Sequence, residues 1–159
     1  MKRVLSVIGV VLVVGCGGGE PRDMETLRGV DGLYLNPEDG QPYSGPVFGE
    51  NMGKRMTGSL RDGKWDGPFE SYHDNGQLRR KGTYKDGEPV GQWLQWYDNG
   101  QKLFEQNFKD GYAVGVWTGW SANGQKWKEE HYMYEGILQS ELYWNSKGEP
   151  VDSGDEAQK

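Results

Sequence analysis

Two histidines, one cysteine and a set of evenly spaced aspartates are the residues of this chain whose types could do chemistry. His73 and His131 lie too far apart for a recognisable metal motif and fall at non-equivalent places in the chain's internal repeat. An enzyme needs a nucleophile or an acid–base pair held in a cleft. The sequence has no Gly-x-Ser-x-Gly, His-Glu-x-x-His or phosphate-binding loop that would supply one. Asp74, Asp98, Asp86 and Asp110 recur in a manner that could suit calcium, but they sit in Asp-Asn-Gly and Lys-Asp-Gly turns. In such turns a carboxylate that bonds its own backbone is reason enough for the residue. No Asp-x-Asp-x-Asp-Gly loop accompanies them. The expectation is therefore no catalysis, no metal and no cofactor.

The single cysteine, Cys16, leaves no intramolecular disulfide and no thiolate cluster. It closes the stretch MKRVLSVIGVVLVVGC, in which Lys2 and Arg3 precede an apolar run from Val4 to Val14. That run is about half the ~20 residues needed to span a bilayer, so residues 1–15 read as an export signal. The ending Val13-Val14-Gly15-Cys16 resembles the bacterial lipobox. The resemblance implies cleavage before Cys16, a diacylglycerol on its sulfur and an acylated new N-terminus. Two or three acyl chains at roughly 0.8 kcal/mol per buried CH₂ hold a protein stably on a membrane. Gly17 after the cysteine favours, by the same resemblance, the outer membrane where the cell has one, and otherwise the outer face of the plasma membrane. An ordinary signal peptide and a buried free cysteine are the alternatives; the small residue before Cys16 weighs against both. Residues 16–30, which open CGGGEPRDMETL, read as a flexible tether.

Composition points to the class of fold beyond the tether. Of 159 residues only 34% are hydrophobic, yet 13% are aromatic and 26 are glycine. Such a chain suits thin β structure, with rings supplying the buried area and glycine the turns. A net charge of −6 with mixed signs scattered along the chain argues against a nucleic-acid partner.

The elements repeat. Gly76, Gly100, Gly124 and Gly148 are spaced by 24, as are Gly63, Gly87 and Gly111, and Gly67, Gly91 and Gly115. Rings keep the same period: Phe69, Trp93, Trp117; Tyr72, Trp96, Trp120, Trp144; and Tyr84, Phe108, Tyr132. Asn-Gly and Asp-Gly alternate as turn signals, with strand-length segments between them. Each unit is then one antiparallel hairpin that buries its face only against its neighbours. The fold class expected is all-β, an elongated single-layer antiparallel meander of about four 24-residue hairpins over residues 31–148. Gly63, Gly76, Gly87, Gly100, Gly111 and Gly124 make its corners, and residues 149–159 form a disordered acidic tail.

The unit YHDNGQLRRKGTYKDGEPVGQW, Tyr72 to Trp93, resembles the bacterial form of the MORN repeat. The likeness is strong over Gly63–Gly148 and weaker over Asp39–Gly63. It departs where Lys102 and Lys126 replace Leu78, and where Gln106 and Glu130 replace Gly82. TGWSANGQKW, Thr118 to Trp127, is also similar to cell-wall choline- or glucan-binding repeats, though their period is nearer 20 and they lack the Gly-x-x-x-Gly-x-Trp element present here. The MORN resemblance implies a non-enzymatic binding or scaffold protein. Many bacterial proteins with these repeats carry an antitoxin label, so neutralisation of a toxin, or immunity at the envelope, is the alternative.

Residues three apart on a strand face opposite ways. The row Phe69/Trp93/Trp117 therefore builds one face and Tyr72/Trp96/Trp120/Trp144 the other. Both rows could simply stack to hold the sheet together. Alternatively, the longer row forms an exposed strip for a protein, glycan or lipid partner. The residues do not decide the oligomeric state.

Overall fold

Two kinds of turn set the meander's geometry. At Asp62-Gly63, Asp86-Gly87 and Asp110-Gly111 both residues are left-handed, with φ of 48° and 76°, 51° and 93°, and 50° and 81°. That is the two-residue type I′ turn, whose twist matches the strands it joins. The Asn-Gly turns are wider than the dipeptide alone suggests. There only Gly76, Gly100 and Gly124 are left-handed (φ 86°, 83° and 87°), and Gly76 N donates to His73 O at 2.8 Å. The Asn75 carboxamide oxygen accepts from Gln77 N at 3.0 Å, a side-chain turn that holds the asparagine right-handed. The added residue appears as a register shift between Ser71 and Tyr72, and again between Gly119 and Trp120.

The computed structural model describes residues 19–51 and 53–157; Cys16 and the export signal lie outside the described residues. In chain order the strands are β1 (Arg22–Asp23), β2 (Arg28–Val30), β3 (Leu33–Leu35), β4 (Gly45–Asn51), β5 (Lys54–Arg61), β6 (Lys64–Trp65), β7 (Gly67–Tyr72) and β8 (Leu78–Lys85). They continue with β9 (Glu88–Trp96), β10 (Lys102–Lys109), β11 (Tyr112–Ala113), β12 (Gly115–Trp120), β13 (Lys126–Tyr132), β14 (Leu138–Trp144) and β15 (Pro150–Val151). Thirteen of them form one sheet in the order β1-β4-β5-β7-β8-β9-β10-β12-β13-β14-β15, with β6 and β11 folded back on β5 and β10. Every pairing in it is antiparallel except β1 with β4. The fold is all-β, a hairpin meander with its repeat near 24 residues.

The expected single-sheet meander holds across the repeats, and its first strands carry a buried core in addition. Met24, Leu27, Val47, Met56, Leu60, Phe69 and Trp93 form a buried cluster, with Tyr34 and Tyr43 packed against it. The N-terminal segment and the separate β2–β3 hairpin thus lay a second layer over the first strands. The reading of residues 16–30 as a tether fails from Arg22 onward, because β1 pairs with Val47 and Phe48. Asp23 also caps a 3₁₀ turn that drives Met24 inward. The disordered-tail reading fails similarly: β15 pairs with Tyr143 and Trp144, and the short helix α1 (Gly154–Ala157) buries Ala157. Among the described residues no helix is long and apolar enough to cross a membrane.

From the core a spine of rings runs along one face. Successive centroids are 5.6 Å apart for Phe69–Tyr84, 4.7 Å for Tyr84–Trp93, 6.5 Å for Trp93–Phe108, 4.9 Å for Phe108–Trp117 and 4.8 Å for Trp117–Tyr132. Two of the periodic ring series interleave to make it. Burial declines along this spine, from a fully buried Trp93 to half-buried Trp117 and Tyr132.

Candidate functional site

The long row lies on the opposite face and is built differently. None of Tyr72, Trp96, Trp120 and Trp144 is fully exposed; all four are half-buried. Cations separate the rings. Lys102 stands opposite Trp96 in the β9–β10 register, and its ammonium lies 4.9 Å from the Trp120 ring centroid. Lys126 stands opposite Trp120 and lies 4.0 Å from the Trp144 centroid. The face therefore reads Trp96, Lys102, Trp120, Lys126, Trp144, with ring and cation alternating from strand to strand.

Each lysine is also paired with a carboxylate: Lys102 with Glu105 at 2.7 Å and Lys126 with Glu129 at 2.8 Å. At the first ring Tyr72 donates to Glu70 at 2.7 Å, and Lys81 holds the same carboxylate at 2.9 Å. The Tyr72 hydrogen bond keeps Glu70 below the usual carboxylate range, and Lys126 followed by His131 does the same for Glu129. Burial, then Glu70, pushes the Tyr72 phenol up. The strip is thus a row of amphipathic rings whose charges are internally balanced. The reading in which this row stacks ring on ring is corrected: lysine aliphatic stems and ammonium groups occupy the spaces between the indoles.

The recurring Lys-x-x-Glu at 102–105 and 126–129 is the signal that marks these residues. Against the repeat pattern each of these lysines is only a departure from Leu78. On β10 and β13, Lys and Glu reach across the bulge to one face.

Behind the rings, the Asn-Gly turns form a ladder of their own. His73 Nε2 lies 2.8 Å from Trp96 O, and the Tyr97 hydroxyl donates to Trp120 O at 3.0 Å. The Asn75 amide donates to Asp98 O at 2.7 Å and the Asn99 amide to Ala122 O at 2.9 Å. His73 is thereby absorbed into structure, and His131 faces Glu129 at 2.8 Å. The six turn glycines all sit at hairpin corners with left-handed backbone. Among the described residues no group of three or more His, Cys, Asp or Glu side chains is arranged to hold a metal ion.

Residues 65–86, 89–110 and 113–133 match the family described as MORN repeat variant. Those three stretches, less than half of the chain, are similar to MORN repeats of this variant type. Thr118–Trp127, which also resembles glucan-binding repeats, lies inside the third of them. No curated protein shows a significant match to the chain. MORN-repeat proteins are typically non-catalytic scaffolds, and the repeats here make a binding or scaffold module. The matched units carry Tyr72, Trp96 and Trp120; Trp144 belongs to the terminal hairpin beyond them.

Proposed function

We propose that this protein is a non-enzymatic binding or scaffold module, exported and tethered to the bacterial envelope through lipid on Cys16. It presents the Tyr72/Trp96/Trp120/Trp144 face to a protein or glycan partner. The observation that carries the reading is the alternation of indole and lysine across β9, β10, β12, β13 and β14. A purely structural sheet needs one buried ring face, which the opposite spine already provides; a second regular row, half-exposed and charge-balanced, suits contact with a partner. Cys16 after its apolar run supports the tether.

One set of samples tests both halves. Full chain expressed in a lipoprotein-processing bacterium is expected to carry the acyl mass, which Cys16→Ser loses; an unmodified wild type would end the anchor reading. Envelope proteins and glycans captured by wild type are expected to be lost with Trp96→Ala/Trp120→Ala at unchanged circular dichroism. Identical capture by the folded double variant removes the strip from the function.

A further inference from the structure

The turn ladder that joins successive MORN units breaks once, between the third unit and the terminal hairpin. Three contacts hold each earlier seam. The residue after the ring reaches the next ring's carbonyl, as His73 and Tyr97 do. The turn asparagine donates to the next turn, as Asn75 and Asn99 do. A glutamine carbonyl then packs on the next turn glycine: Gln77 Oε1 and Gln101 Oε1 each lie 3.4 Å from where a Cβ on Gly100 or Gly124 would stand. At the last seam all three fail together. Ser121 replaces Tyr97 and is too short to span the gap. The Asn123 amide turns back to Gln125 of its own hairpin at 2.9 Å. Gly148 has nothing within 4 Å of its Cβ position.

The space left is a cleft of about 350 Å³ walled by Tyr97, Ser121, Asn123, Gln125, Trp144 and Ser146, a size within the roughly 300–1,000 Å³ of small-molecule sites. Its chemistry is specific. Three rings, of Tyr97, Trp127 and Trp144, line it together with carboxamides and hydroxyls that both donate and accept. Among the described residues Lys126 is the one charged group on the wall, and its ammonium is committed to Glu129 at 2.8 Å and to the Trp144 ring. The cleft thus offers aromatic surface and neutral hydrogen-bonding groups, with no unpaired charge among the described residues to select an ion.

We infer that this cleft binds one unit of a neutral glycan, a pyranose whose hydroxyls meet Ser121, Gln125 and Ser146 and whose apolar face lies against the rings of Tyr97 and Trp144. The inference rests on the binding-module reading and names the ligand class at the end of its strip. The repeat supplies its own control: Ser121→Tyr restores the residue of the preceding unit and refills the seam.

Calorimetric titration of the detergent-solubilised full chain with cellotriose, maltotriose and chitotriose as probes tests it. At least one trisaccharide is expected to saturate at millimolar concentration or below. Ser121→Tyr and, independently, Gln125→Ala are expected to weaken it by roughly tenfold or more, with the thermal midpoint of Ser121→Tyr equal to or above wild type. Failure of all three probes to bind wild type, or equal binding by both variants, overturns the proposal. Ser121→Tyr keeps Trp96 and Trp120, so envelope capture that persists in that variant while trisaccharide binding is lost separates failure of the module from failure of the cleft.

Discussion

Trp93→Ala is expected to cost about 3–5 kcal/mol, the range for deleting a buried aromatic side chain. Trp93 is 0% exposed. Its indole touches the rings of Phe69, Tyr84 and Phe108, and the Arg80 guanidinium lies over its face at 4.3 Å. Truncation therefore opens a cavity and cuts the spine where the two-layered N-terminal part passes into the single-layered repeats. It also strips Arg80 of the ring that faces it; among the described residues Arg80 Nε is buried without a hydrogen-bond partner, and a desolvated cation–π contact is worth about 2 kcal/mol. For a chain of this size each kcal/mol lowers the thermal midpoint by about 2–4 °C, so circular dichroism melting should move down by roughly 6–20 °C. The half-buried Trp117 is the comparison, and Trp117→Ala is expected to cost clearly less. Equal losses at the two positions would mean that the sheet gains its stability evenly along its length, contrary to the burial gradient.

The corners and the ring rows were legible in the sequence because their causes are local. Asp-Gly demands left-handed backbone within two residues, and residues three apart on a strand must face opposite ways, whatever surrounds them. The Asn-Gly turns were legible in place but not in width, since Asn75 uses its own carboxamide to stay right-handed. What the sequence hid is tertiary. Nothing in the polar run Glu20–Arg28 reveals that Met24 and Leu27 close the core, because no periodicity supports so short a segment. The same holds for Ala157 beneath the last hairpin. At the candidate site the rings were legible as a row, while the lysines between them were visible only as departures from Leu78. The cleft opens where Ser121 is too short to bridge and the Asn123 amide turns back on its own hairpin, departures whose meaning depends on what His73, Tyr97, Asn75 and Asn99 do in the earlier units.

Gly82 separates two reasons for glycine at a repeat position, and Gly82→Ala should show which one applies. Glycine is commonly required for left-handed backbone, but Gly82 is extended within β8, opposite Phe69. Alanine would adopt that conformation readily. The obstacle is the indole: a Cβ on Gly82 would overlap Trp93 Cδ2 and Cε2, atoms of a rigid ring with no solvent side to move toward. Overpacking of this kind costs about 1–3 kcal/mol. Where Gln106 stands in the next unit, the following indole lies elsewhere, and Trp117 Nε1 donates to Asn107 O at 2.9 Å. Glycine at this position is therefore specified by the ring above it. The two substitutions are then coupled: in a Trp93→Ala background the new methyl group enters vacated space, and Gly82→Ala should be nearly neutral or slightly stabilising. Urea unfolding of the four proteins of that cycle should give an interaction energy of about 1–3 kcal/mol. A cost for Gly82→Ala that is the same with and without Trp93 would place the requirement in the backbone and not in the ring.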